Sequence, residues 1–196
     1  MRRSLRITIQ NVFDAGETLN GDPDGTRFPH VISMGDPDST PPPGLDNRRS
    51  LRVLCHDIDW DTQGLEGLTY PAPEHGAAII EFGREVISQA RERNERQSVL
   101  LHCRAGISRS TAAALMLLYL DETREEVTIA VNRDAETNEP EERAAQRLLT
   151  ERPKALPNRS LLRFADEQLG SGLSQVGEEI HKAWAEKVRG MLRDLR

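Results

Sequence analysis

Residues 102–110 read HCRAGISRS, which places a thiol at Cys103 and a guanidinium at Arg109 on the two ends of one glycine-centred turn. A short apolar run, Ser98–His102 (SVLLH), precedes it, and a longer one, Ser110–Leu120 (STAAALMLLYL), follows. The turn therefore joins a strand that ends at Cys103 to a helix that starts near Arg109. Gly106 permits a backbone conformation that other residues resist. Wrapped this way, the amides of Arg104, Ala105, Gly106, Ile107 and Ser108 point inward and, with the positive end of the following helix, form a cradle for phosphate. A thiol on the floor of that cradle feels the same field. Cysteines at helix N-termini have pKa values lowered from about 8.5 to roughly 3.5–7.5, so Cys103 is expected to be a thiolate at neutral pH. Arg109 carries a planar fork that can hold two phosphate oxygens at once. These parts suit in-line attack of sulfur on phosphorus, giving a phosphocysteine that water then cleaves, and neither step calls for a metal or cofactor.

The pattern of His102, Cys103, Arg109 and Ser110 resembles the H-C-x5-R-S/T signature of the protein-tyrosine phosphatase superfamily, and the inner letters AGISRS look like its dual-specificity branch. The segment RPKALPNRSLLRFADEQLG, Arg152 to Gly170, is similar to the R-P…P-N stretch that follows the active site there, with Asn158 in the place of the asparagine. The resemblance covers residues 28–170 and is specific around residues 99–120. It implies that Ser110 hydrogen-bonds the thiolate and helps it leave, that His102 holds the loop from beneath, and that Asn158 supports the site. Arg104 projects from the loop, either as a solvated charge or as a preference for acidic substrates.

It also implies a general acid, an aspartate on a separate loop upstream of the cysteine. HDIDWDTQGLEGLTYPAPEH offers Asp57, Asp59 and Asp61. Asp57 directly follows the strand Leu51–His56, where the family's acid sits, and stands first; Asp59 and Asp61 stay open. Trp60 is flanked by aspartates, so the tryptophan-proline-aspartate triplet of the tyrosine-specific branch is missing. Gly64 and Gly67 would let this loop close over substrate. Cys55 is either a core residue or a reversible disulfide partner for Cys103.

The elements that must position these residues can be read from the flanks. His30–Met34 (HVISM), Leu51–His56 (LRVLCH) and Ser98–His102 read as strands, with a fourth at Leu5–Gln10. Between the first two, GDPDSTPPPGLDNRR is a surface loop. A helix runs from Pro73 to about Arg93 with Ala78, Phe82, Val86 and Ala90 on one face, and another from Ser110 is apolar on almost every side. Thr123 and Glu126 form a capping-box pattern for a next helix, and further helices are expected at Pro140–Glu151 and Ser160–Leu169. The expected fold is α/β, a mostly parallel twisted sheet of 4–5 strands flanked by helices, with ligand bound beyond the carboxyl ends of the strands. Both His102–Cys103 and His56–Asp57 lie at such ends.

The chain of 196 residues is read as a phosphatase domain over residues 1–170 and a C-terminal amphipathic helical extension over 171–196. In that extension Leu173, Val176, Ile180, Trp184, Val188, Met191 and Leu195 form one apolar stripe, to pack on its own domain or to pair two copies as a homodimer. A net charge of −6 argues against a general nucleic-acid binder. No stretch reaches the length of a membrane span and no secretory h-region is visible, so a cytoplasmic protein is expected. The partner is expected to be a phosphorylated protein or a small phosphomonoester; the resemblance implies that inositol-lipid relatives carry extra lysines within the loop, and with none between Cys103 and Arg109 protein is favoured. Two rival readings are a catalytically silent phosphate-binding scaffold and a rhodanese-like sulfurtransferase.

Overall fold

The computed structural model describes residues 3–59, 62, 64–129 and 139–194. Four strands, β1 (Leu5–Asn11), β2 (His30–Gly35), β3 (Arg49–Leu54) and β4 (Gln97–Cys103), form one sheet in the order β1-β4-β2-β3. Every pairing is parallel. Each strand therefore returns through a crossover, and all four carboxyl ends open on one side. Six helices complete the chain: α1 (Val12–Asn20), α2 (Pro73–Glu92), α3 (Arg109–Ile129), α4 (Pro140–Glu151), α5 (Arg159–Leu169) and α6 (Leu173–Asp194).

Apolar residues fill both faces of the sheet, as a parallel sheet requires. On one face Ile32, Met34, Val99, Leu101 and Cys103 meet the helical layer, and on the other Val31 and Leu100 meet Ala15 and Leu19 of α1. The helix α3 lies in the middle of the larger layer, with Ala112 to Leu120 all buried. Its apolar residues have no polar side to expose, which is why the sequence shows no amphipathic stripe there.

Two expectations need correction. Thr123 does not open a helix with Glu126; it lies inside α3, and its Oγ1 donates to Tyr119 O at 2.9 Å. The acidic residues just before it do not break the helix because Asp121 accepts from Arg147 Nη2 at 2.9 Å and Glu122 from Arg143 Nε at 3.1 Å. The helix α1 was not anticipated. Its start is fixed by Asn11, whose side chain accepts from the amides of Phe13 and Asp14 at 2.9 Å each, an N-cap on a segment too short to show a period.

At the C-terminal end Asp166 accepts from the amides of Leu173 and Ser174 at 2.8 and 3.0 Å and so caps α6. Leu173 and Ile180 are buried against the domain, whereas Trp184, Met191 and Leu192 are exposed. Among the described residues the amphipathic stripe packs on its own domain over the first turns only; Leu195, the last residue of the expected stripe, lies outside the described residues. Among the described residues no helix is long and apolar enough to cross a membrane.

Candidate active site

The turn after β4 closes around Cys103. Gly106 takes φ +67°, and a Cβ there would lie 2.6 Å from the carbonyl carbon of Gln10, so β1 and the loop approach too closely for a side chain. The loop is also held from outside. Arg152 Nε donates to Gly106 O at 2.9 Å and its Nη2 to Ala105 O at 3.3 Å, Leu156 N donates to Ile107 O at 2.9 Å, and Thr111 Oγ1 to Ser108 O at 2.8 Å. With these carbonyls drawn outward, the amides turn inward.

Cys103 is buried, and its Sγ lies 3.2 Å from both Ser110 Oγ and Gly106 N. Burial alone would push the thiol up. Hydrogen bonds from the Ser110 side chain and from the amides of Ser110, Ile107 and Gly106 outweigh it and hold the thiol below its ordinary value. The other cysteine behaves oppositely: burial pushes Cys55 up to about 11, with Arg109 opposing and Asp57 and Asp36 reinforcing the rise. Its backbone carbonyl, at the end of β3, accepts from Arg109 Nη1 at 2.5 Å.

The side chain of Arg109 is buried at the first turn of α3 and reaches the carboxyl ends of β2 and β3. Nη1 donates to Asp36 Oδ1 at 2.8 Å, while Nε makes no hydrogen bond among the described residues and has Asp57 Oδ2 at 3.7 Å. The guanidinium is thus positioned by carboxylates and a carbonyl, with a donor left over.

Asp57 follows β3 and faces the loop. Its Oδ1 accepts from Ser108 Oγ at 2.6 Å and from Asn158 Nδ2 at 3.3 Å, and its side chain is 35% exposed. Asp59 turns elsewhere: it accepts from Arg159 N at 2.8 Å and Arg159 Nε at 2.9 Å, capping α5. Asp61 and Trp60 lie outside the described residues. Asn158 joins the two segments, since its Nδ2 also donates to Ile58 O at 3.1 Å and its Oδ1 accepts from Leu161 N at 3.1 Å. The segment beyond is stapled on itself, with His56 N donating to Thr69 O at 2.8 Å and the Tyr70 hydroxyl to Thr62 O at 3.0 Å. Gly64 and Gly67 have positive φ there.

His102 is fully buried beneath the loop, and neither ring nitrogen has a hydrogen-bond partner among the described residues. Burial, aided by Arg52, pushes it down to about 4, so it is neutral at physiological pH. Arg104 is exposed, as is Ala105. Three residues escaped the sequence reading. Asp36 was placed in a surface loop, although it follows β2 as Asp57 follows β3. Arg152 was read only as part of a motif. Phe13, 80% exposed, follows Val12, whose amide donates to Arg104 O at 3.4 Å. Among the described residues no group of three or more histidine, cysteine, aspartate or glutamate side chains is placed to hold a metal ion.

The family model for protein-tyrosine phosphatase matches residues 44–164. Among solved structures, human DUSP28 is 17% identical at a TM-score of 0.51, covering 93% of this chain and 96% of that one. The Yvh1 phosphatase domain from Chaetomium thermophilum is 20% identical at 0.51, covering 88% and 95%. A human tyrosine phosphatase-like serine/threonine/tyrosine-interacting protein is 16% identical at 0.52, covering 83% and 89%. At these identities the likeness is one of fold. No curated protein matches the chain at a significant level.

Proposed function

This chain belongs to the protein-tyrosine phosphatase family, with a fold like that of dual-specificity phosphatases, and from that premise we propose that it hydrolyses phosphomonoesters, those of phosphorylated proteins first, through a phosphocysteine intermediate. The observation that carries the reading is the thiol of Cys103, buried yet held toward its ionised form by Ser110 and by loop amides.

In this reading the Cys103 thiolate attacks phosphorus in line while the bond from phosphorus to the ester oxygen breaks. Asp57 gives that oxygen a proton, so the departing group leaves as an alcohol or phenol. The amides from Arg104 to Ser108 and the Arg109 fork carry the charge on the three equatorial oxygens. Asp57, now a carboxylate, takes a proton from the water that attacks the phosphocysteine; the phosphorus–sulfur bond breaks, inorganic phosphate leaves and the thiolate returns, steadied by Ser110. Asn158 and Ser108 orient Asp57, and Asp36 orients Arg109. Asp59, engaged at the start of α5, is the weaker candidate for the acid. His102, buried and without a hydrogen bond to its ring among the described residues, supports the loop from beneath. Phe13 supports a peptide substrate, because an exposed aromatic residue next in the chain to the Val12–Arg104 hydrogen bond is available to a phosphorylated side chain.

A panel of phosphopeptides, inositol phospholipids and nucleotides, run with wild type and Cys103→Ser, tests this. Turnover by wild type alone, with phosphate trapped on Cys103 after rapid acid quench, is the expected result. Wild type inert toward every phosphomonoester, or equal turnover by the serine variant, would overturn the proposal.

A further inference from the structure

A second basic site lies at the other end of the sheet. A cleft of about 440 Å³ opens at the amino ends of β1 and β4, lined by Arg3, Arg6, Arg96, Arg143 and Arg147 over an apolar floor that includes Leu5. Seven-residue strands separate it from Cys103 by about 20 Å. Asp121 and Glu122, both buried, hold part of this cluster: Arg147 donates to Asp121 Oδ2 at 2.9 Å and to Glu122 Oε1 at 2.6 Å, and Arg143 Nε to Glu122 Oε2 at 3.1 Å. Asp121 also accepts from Ser4 N at 3.0 Å and so fixes the start of β1. Among the described residues the lining holds five arginines, with Asp121, Glu122 and the lining Glu151 as the neighbouring carboxylates, in a chain whose net charge is −6.

Two of the five are held least. Arg96 gives Nε to Leu5 O at 3.0 Å, and Arg6 is exposed with no hydrogen bond or ion pair among the described residues. Burial, followed by the neighbouring cations Arg147, Arg6 and Arg3, holds Arg96 below its usual value, with Asp121 opposing. Like charges brought together in a concave, low-dielectric site focus a positive field. Guanidiniums reach it from three directions, β1, the turn before β4, and α4, and each planar fork suits a phosphoryl oxygen pair. The volume lies within the small-molecule range of about 300–1,000 Å³ and exceeds what one phosphate needs.

We infer that this cleft binds a pyrophosphoryl group, either free or carried on a nucleoside. The separated forks of a cluster of five arginines match two linked phosphates, and the apolar floor leaves room for a carrier.

The test is calorimetric titration of the full-length Cys103→Ser chain, which cannot turn over the ligand, with pyrophosphate, ADP, adenosine and a singly phosphorylated acidic peptide, paired with amide NMR shifts. Pyrophosphate or ADP is expected to shift the amides of Arg6, Ile7 and Arg96, and Arg6→Glu is expected to weaken that binding at least tenfold without altering hydrolysis by an otherwise wild-type chain. ADP binding at least tenfold tighter than pyrophosphate assigns the nucleotide source; equal binding assigns the free anion. Arg96→Gln, with the fold checked by thermal unfolding, supplies an independent variant and should weaken binding likewise. No shifts at the cleft, affinity unchanged in both variants, or binding by the peptide alone would overturn the inference. The binding and shift outcomes do not depend on whether the chain hydrolyses phosphomonoesters.

Discussion

Ser108 Oγ donates to Asp57 Oδ1 at 2.6 Å, so one short hydrogen bond ties the loop that would hold phosphate to the segment that carries the proposed proton donor. The two groups come from positions 51 residues apart in the chain. They meet because β3 and β4 run parallel and end on the same side, with β2 between them.

Replacing Asp57 by asparagine keeps the size and the contacts with Ser108 and Asn158 but removes the transferable proton. Turnover of alkyl phosphates is expected to fall about 10²-fold or more, and of an aryl ester with a good leaving group far less. Steady-state rates across a leaving-group series check this. An unchanged slope against leaving-group pKa would move the role away from Asp57.

Ser110→Ala removes the side-chain hydrogen bond to the Cys103 sulfur. In the proposed mechanism the thiolate is the active form, and its folded value is depressed, so activity is expected above that value and should be lost as pH falls through it. Losing the hydrogen bond raises the value, and the rising limb of kcat/KM against pH should move to higher pH. Thiol titration by an alkylating agent should move in the same direction. Identical profiles for variant and wild type would show that the amides alone hold the anion.

Gly106→Ala asks an L-residue to adopt φ +67° and puts a methyl 2.6 Å from the Gln10 carbonyl carbon. The chain should lose about 1–3 kcal/mol of stability, and kcat/KM should fall by about 10²-fold or more through loss of oriented amides. Chemical denaturation and kinetics together separate the two effects.

His102 is held neutral, down to about 4, by burial and by Arg52. In the unfolded chain it titrates near about 6.5. Because the folded value is the lower one, stability is full above about 6.5 and declines as pH falls toward about 4, by up to about 3 kcal/mol. His102→Leu should flatten that slope. Urea midpoints at pH 7 and pH 4.5 measure it, and an equally steep decline in the variant would assign the acid sensitivity to other groups.

Much of this arrangement was legible in the sequence because local signals agreed with one another. The run SVLLH, the glycine-centred turn and the all-apolar helix after it each pointed to the same strand, loop and helix. What could not be read was where separate strand ends converge. Asp36 sits in a proline-rich loop with no periodic signal, and only the parallel pairing of β2 with β3 brings it to Arg109. Likewise Asp57 and Asp59 look equivalent in HDIDWD. The structure separates them through α5, whose amino end takes one carboxylate while Asn158 and Ser108 take the other. Thr123 was misread because a capping pattern carries no information about whether a preceding buried helix has finished.

The Asp59 cap on α5 also bears on how the proton donor could move. Residues 56 to 59 are fastened at both ends, by His56 to Thr69 on one side and by Asp59 to Arg159 on the other. A swing of several ångströms at Asp57 would have to rip out one of those anchors. The proposed acid is therefore expected to hold its place rather than swing in with the loop that Gly64 and Gly67 would let close, and the rate of the first chemical step should be insensitive to solvent viscosity.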